Sequence, residues 1–518
     1  MSDAIKRIVI VGGGSAGWLT AGIIAAEHRA NQANGIHITL IESPEVPPIG
    51  VGEGTWPSMR LTLSKIGVSE TELFRQCEAS FKQGIKFSKW VNGSAEDYYY
   101  HPLVVPQGFN ETDLVLPWQT IKNEISFGDA VCYQGRICEL GLAPKQITTP
   151  EYASVANYAY HFNSVKLGRF LAEHCIKKLG VNQVVDHVVG VNSAANGDIA
   201  SLVTKEHGNI EGDLFIDCSG IGSLLLGKHF NIPFVSKKHI LFNDAVLAVQ
   251  APYATEDSPI APYTLATAQS AGWIWDIGLP TRRGIGHVFS SAYTSDEIAA
   301  QELRSYIEAL IGKKAEELEF RKIAYNPGHR AEFWTRNCVA VGLSAGFIEP
   351  LEATALVLIE ASATMISNEL PTTRSVMDIV AKRFNQRHHY YWDTIIDFVK
   401  LQYALTKRVD TEYWIDNTRD ESIPARLQEF LKLWRHQPPN KYDFPLAEEM
   451  LPAASWQYIL YGMGFITEPR STSKRSSDMA MFMRYTQETK ALSEKYSMHL
   501  PPHRELINKI HQHGLQKI

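Results

Sequence analysis

The chain has 518 residues, 45% of them hydrophobic and 20% charged, with a formal net charge of −6. That balance excludes a disordered or fibrous chain and argues against a nucleic-acid or membrane-surface protein, both of which concentrate positive charge. The length corresponds to about three domain equivalents, or to one large core with insertions.

The opening MSDAIKR runs straight into an apolar strand and leaves no room for a signal peptide, so a cytoplasmic location is expected. Residues 7–11 (RIVIV) read as a buried strand, and residues 16–30 as a helix. Between them Gly12, Gly14 and Gly17 fall in G-x-G-x-x-G spacing. The first glycine permits a tight turn, the second lets backbone approach a pyrophosphate, and the third lets helix pack on strand. The helix N-terminus, with Ser15 and Ala16, then faces the phosphates. A second strand over residues 36–41 ends at Glu42, the acid that grips a ribose hydroxyl in such sites.

The stretch SPEVPPIGVGEGTWP, with Val51 and Gly52, is Gly- and Pro-rich, as suits backbone pressed against a flat ligand or a surface connector. Helices are expected over residues 58–66 and 69–82, an irregular aromatic insertion over 87–150, and a helix over 160–180. Strand-like segments follow at 183–191, 199–204 and 212–218; Val185, in the first, joins the cofactor-binding set, and the last ends at a second expected cofactor contact, Ser219–Gly220. Residues 240–330 read as an antiparallel sheet over a pocket, 338–341 as a buried strand feeding the turn GLSAGFIEPLEATALVLIE, and everything past 370 as helical. The most apolar helix, near residues 353–366, contains Glu360 and is too short to span a bilayer.

No second glycine fingerprint is present: CSGIGSLLLG at 218–227 lacks the third glycine at the right spacing. One dinucleotide is therefore expected, and the flat-ligand loop favours FAD over NAD. The six cysteines, without a C-x-x-C pair, read as buried free thiols of a reducing compartment. Neither His388-His389 nor His511-x-His513 shows zinc spacing, and no metal is expected.

Five separated motifs, IGVGEGT (49–55), EASFK (78–82), GWIWDIGLP (272–280), FIEPLEAT (347–354) and DFVKLQYALTKRVDTEYW (397–414), resemble the flavin-dependent halogenases of the tryptophan-halogenase type, in order from about residue 5 to about 465. The resemblance implies an α/β fold: an FAD-binding core of the aromatic-hydroxylase type over residues 1–370, with substrate-covering insertions at about 87–150 and 240–330, and a helical substrate-pocket region over 371–518. It implies a two-component enzyme that receives reduced FAD from a separate flavin reductase. A flavin hydroperoxide then oxidises chloride or bromide to hypohalous acid, which halogenates an electron-rich, indole-like aromatic. Neither nucleic acid nor membrane is an expected partner, and a homodimer stays open.

By resemblance Lys82 is the lysine that aims the electrophilic halogen, and Glu352 the glutamate that stabilises or deprotonates the ring intermediate. Residue types alone leave Lys82 as a helix-end lysine and Glu349 as an equal rival to Glu352. Thr354 and Ala355 occupy the halide-binding pair, with alanine where the family usually has glycine. Pro350, Leu351, Leu356 and Leu343 are expected to line the flavin. Trp273 and Trp275 match the family's W-x-W-x-I-P motif, with Gly278 at the proline position. His101 and Trp456 fall where the family binds the indole, and Leu103 replaces a phenylalanine that stacks on it. That replacement argues against free tryptophan and for another indole, a phenol or a larger aromatic. The alternatives are an FAD-dependent aromatic hydroxylase, or a catalytically silent flavin-binding protein.

Overall fold

The computed structural model describes residues 4–45, 52–468 and 479–517; Val51 lies outside them. The chain forms two compact units: Met1–Ala79, Phe162–Lys237 and Asn326–Asp393 make the first, and Ser80–His161, Lys238–Tyr325 and Thr394–Ile518 the second.

The first unit is built on a six-stranded sheet in the order Trp334–Thr335, Cys338–Ala340, Leu214–Asp217, Arg7–Val11, His37–Glu42, Asn182–Val185. All neighbours are parallel except the outermost pair, Trp334–Thr335 with Cys338–Ala340. RIVIV is buried at every position but the first because a parallel strand is covered on both faces, which explains an apolar run without alternation. The register sets Val11 beside Asp217 and Ile41, and Glu42 beside Val185, so these carboxyl ends share one edge. The helix Ser15–Glu27 packs on the sheet, and the helices Ser164–Leu179 and Thr354–Asn368 pack against that helix. Two three-stranded antiparallel sheets complete this unit.

Several expected boundaries move. The helix over 160–180 is a strand, Ala159–Asn163, followed by the helix Ser164–Leu179. The side chain of Asn163 accepts a hydrogen bond from the Lys166 amide and so caps the helix there, while Gly180 (φ 74°) closes it. The strand over 183–191 divides into Asn182–Val185 and Val188–Ser193. Between them the buried Asp186 accepts hydrogen bonds from the Glu206 and His207 amides and turns the chain. The helix over 69–82 ends at Cys77, because Glu78 adopts φ 51° and its carboxylate is held by Asn163 and Lys166, each at 2.8 Å.

The second unit centres on a seven-stranded sheet in the order Arg321–Ala324, Ala245–Ala251, Arg283–Phe289, Gly272–Gly278, Thr264–Ala268, Gly84–Ser88, Tyr98–Pro102. It is antiparallel except where Thr264–Ala268 runs parallel to Gly84–Ser88. The strand Tyr98–Pro102 and the end of Gly84–Ser88 thus come from the stretch read as irregular, which also holds the short helices Val115–Gln119, Phe127–Val131 and Gln134–Glu139. One face is covered by Asp296–Ile311, a helix absent from the sequence reading although Ser295 caps it. Alternation along Gly272–Gly278 sends Ile274 to that face and Trp273 to the other, against Trp90, whose ring also meets Tyr403 and Trp414. Among the described residues no strand lies beyond Phe347, and the 31-residue helix Arg374–Ala404 contributes to both units in turn.

Candidate active site

In the first unit, three glycines of the opening loop are demanded by the protein itself. A Cβ on Gly12 (φ 117°) would sit 2.1 Å from the Cys218 carbonyl oxygen, one on Gly17 1.9 Å from the Gly12 oxygen, and one on Gly13 2.2 Å from the Glu42 carboxyl carbon. A Cβ on Gly14 would meet nothing within 4 Å, so this exposed position faces open space. Gly13 is the glycine that the fingerprint does not mark. The following helix, Ser15–Glu27, has no side-chain cap, which leaves its first amides available to an anion. Ser15 donates to the Ser164 carbonyl, and Ala16 packs under Gly342. Glu42 accepts from Gln183 at 3.0 Å beside the half-exposed Val185. Open space at the second glycine, free helix-terminal amides and an acid at the next strand end together fit a dinucleotide.

At the neighbouring strand end, Asp217 receives the Leu225 and Leu226 amides at 2.8 and 2.9 Å and the Ser219 hydroxyl at 2.5 Å. It therefore shapes the loop that carries Ser219 and Gly220. Gly52 opens the strand Gly52–Gly54, and the adjacent Glu53 carboxyl is pushed up to about 7 by burial, opposed by a hydrogen bond from Ser164.

The chain after Cys338–Ala340 builds an unusual turn. Gly342 (φ 72°) starts it and Ser344 ties it to the Asp217 carbonyl at 2.6 Å. Leu343 and Pro350 are partly buried, and Leu351 and Leu356 fully. Glu352 (φ 66°, ψ 6°) and Ala353 (φ 57°, ψ 39°) are successive non-glycine residues in the left-handed region. Each such residue costs on the order of 1–3 kcal/mol and persists only where the surroundings impose it, typically at functional sites. The helix Thr354–Asn368 begins at once, with Ala353 in the cap position and no side-chain cap, so the amides of Thr354 and Ala355 have no side-chain acceptor. Thr354 is buried and Ala355 exposed. Glu352 and Glu349 are 3% and 1% exposed, so burial does not separate the two carboxylates; the strained backbone falls on Glu352.

In the second unit Lys82 lies on a strand, Ser80–Lys82, and not at a helix end. It is only 1% exposed. The strand pairs with Ala159–His161, Ser80 donates to the Gly278 carbonyl at 2.5 Å, and the Phe81 amide donates to His503 Nε2 at 3.0 Å. Because Nε2 accepts, His503 is neutral, and its Nδ1–H donates to the Ile260 carbonyl at 3.0 Å. Burial pushes its pKa down to about 4. His161, on the same face, is held well below the ordinary histidine range by burial first and then by the charge of Lys82.

His101 is buried on Tyr98–Pro102, and Leu103 is partly buried with its N–H given to Gln134 at 2.8 Å. Trp456 is fully buried, with Phe398 edge-on at 4.9 Å and Phe444 near-stacked at 5.5 Å. The His101 ring meets the same Phe398 at 5.6 Å. His101 and Trp456 thus flank one protein ring, which sequence reasoning did not single out. Trp273 and Trp275 are buried, with Trp275 lying across Gly286. A Cβ on Gly278 would fall 2.9 Å from Ile260 and 3.0 Å from the Tyr253 hydroxyl, so packing leaves no room for a side chain where the resemblance expects proline.

All six cysteines are free and buried. Among the described residues no group of three His, Cys, Asp or Glu could hold a metal ion, and His388 is engaged with Ser362 and stacked on Phe384. Among them, too, no helix is long and apolar enough to cross a membrane.

The first unit thus carries a glycine loop that fits a dinucleotide and a buried carboxylate on a strained turn, as in α/β nucleotide-dependent enzymes, and the second carries a buried lysine. Residues 7–478 match the family model described as tryptophan halogenase. The chain is similar to the crystal structure of a tryptophan halogenase from Shewanella frigidimarina NCIMB 400 (48% identity, 99% of each chain, TM-score 0.96). It is 33% identical to the tryptophan 6-halogenase SttH of Streptomyces toxytricini over 89% of this chain and 90% of that one. It is also similar to BrvH, a flavin-dependent halogenase from Brevundimonas sp. BAL3 (29% identity, 98% and 100% coverage, TM-score 0.85). The chain belongs to the tryptophan halogenase family, and is a flavin-dependent halogenase that uses FAD and a halide.

Proposed function

We propose that this enzyme halogenates an electron-rich, indole-like aromatic other than free tryptophan. The observation that carries the reading is the turn at Glu352–Ala353, where a buried carboxylate adjoins the uncapped amides of an α-helix. Reduced FAD and oxygen supply the oxidant that converts halide to hypohalous acid. Gly12, Gly14, Ser15, Ala16 and Gly17 hold the pyrophosphate, and Glu42 and Val185 the ribose side. Gly52, Leu343, Pro350 and Leu356 line the flavin. The amides of Thr354 and Ala355 hold the halide, since oriented N–H groups at a helix start favour an anion.

Lys82 donates a hydrogen bond to the oxygen of hypohalous acid and orients its halogen. The ring gains the halogen as the Lys82 ammonium gives a proton to the departing hydroxyl, which leaves as water; Glu352 takes the displaced ring proton, and that proton returns to the lysine through solvent. His101, Leu103 and Trp456 shape the substrate pocket. Relatives named as tryptophan halogenases support an indole-like ring. Leu103 in place of a stacking ring, and Phe398 between His101 and Trp456, support a substrate other than the free amino acid. A single dinucleotide fingerprint fits reduction by a separate flavin reductase in the cytoplasm.

The test is product mass spectrometry with FAD, a flavin reductase, NADH, bromide and an indole panel, run with wild type and Lys82→Ala. A brominated product that disappears in the variant, while a hypohalous-acid trap still scores, supports the reading. An oxygenated product that survives Lys82→Ala overturns it in favour of a hydroxylase.

A further inference from the structure

We infer that Trp56 is a positioning residue that holds the Glu352–Ala353 turn in its left-handed conformation. The indole N–H of Trp56 donates to the Glu352 carbonyl oxygen at 2.6 Å. A second hydrogen bond, from the Ala353 amide to the Pro350 carbonyl at 3.1 Å, closes the turn from within. Left-handed residues without glycine return to the helical basin unless something outside the turn opposes it. Trp56 supplies that opposition from 296 residues away in sequence.

The helix on its C-terminal side fixes the position of Trp56 itself. Pro57 leads into that helix, Ser58–Lys65, whose Ser58 and Thr62 hydroxyls donate to the two carboxylate oxygens of Glu360, at 3.1 and 2.7 Å. Glu360 lies two turns into the helix that starts at Thr354. One short segment therefore grips that helix at its side through Glu360 and at its entry through Trp56. The indole N–H is the side chain's sole donor, so Trp56→Phe removes the bond and keeps most of the ring.

The functional consequence rests on the proposed role of this turn in halide binding, and the test separates the two. Hydrogen exchange of the peptide spanning residues 350–360 is compared in wild type, Trp56→Phe and Trp56→His, the last restoring a ring N–H. Exchange faster by about tenfold in Trp56→Phe, returning toward wild type in Trp56→His, supports the inference. Exchange in Trp56→Phe equal to wild type overturns it. The halide KM against kcat is then measured. A raised halide KM in Trp56→Phe, with FAD affinity unchanged, supports the turn as the halide site. Faster exchange with an unchanged halide KM leaves the pin standing and removes the halide from this turn.

Discussion

At the scale of single residues, the glycine loop separates what the fold needs from what the ligand needs. Gly12 and Gly17 have backbone atoms within 2.1 Å of where a Cβ would stand, whereas Gly14 has open space. Gly12→Ala and Gly17→Ala are expected to fail as folded proteins. Gly14→Ala is expected to melt within a few degrees of wild type, an effect on the order of 0.5–1 kcal/mol, yet to bind FAD at least tenfold more weakly. Thermal melting and flavin fluorescence titration check both. Spacing identifies these positions in the sequence, but the reason for each differs, and Gly13 was invisible because its neighbour, Glu42, arrives from the next strand.

At the scale of elements, the contact between Ser58–Lys65 and Thr354–Asn368 has a titratable centre. Glu360 is 4% exposed, and burial pushes its carboxyl from the ordinary 4.5 up to about 7. Above pH 4.5 the unfolded chain has released this proton while the folded chain still holds it. Its contribution to stability is therefore full below pH 4.5 and is lost as pH rises to about 7, by about 3 kcal/mol. Glu360→Gln keeps an acceptor for Thr62 and carries no charge, so its stability relative to wild type is expected to rise between pH 5 and 8; urea unfolding at the two pH values measures this. Elements also mark a limit of reading. EASFK continues a helical pattern, but the chain turns at Glu78 and pairs Ser80–Lys82 with Ala159–His161, about 80 residues later. Local propensity does not encode a strand partner at that distance.

At the scale of the whole molecule, the strand that carries Lys82 is held from near the end of the chain. The Phe81 amide and His503 are 422 residues apart in sequence and 3.0 Å apart in the fold. His503→Ala leaves that buried amide without its acceptor, at an expected cost of about 1–3 kcal/mol. Halogenated product is expected to fall severalfold while FAD binding, proposed for the other unit, stays at its wild-type value. His503→Asn, which can accept the same bond, is expected to recover part of the loss. Product yield beside an FAD titration decides the matter.

The linear sequence by itself pointed to the buried strand over residues 7–11, the dinucleotide fingerprint and the family, because an apolar run, glycine spacing and contiguous motifs are local. It pointed to Lys82 and Glu352 only through resemblance, since an isolated lysine or glutamate has many uses. Only the tertiary structure decided that Lys82 is a buried strand residue, that Glu352 stands on a left-handed turn, and that Trp56 and His503 reach these segments from afar. The physical reason is the same in each instance: burial, a strained φ and a hydrogen bond between distant residues arise from packing, and packing has no signature in the local order of residues.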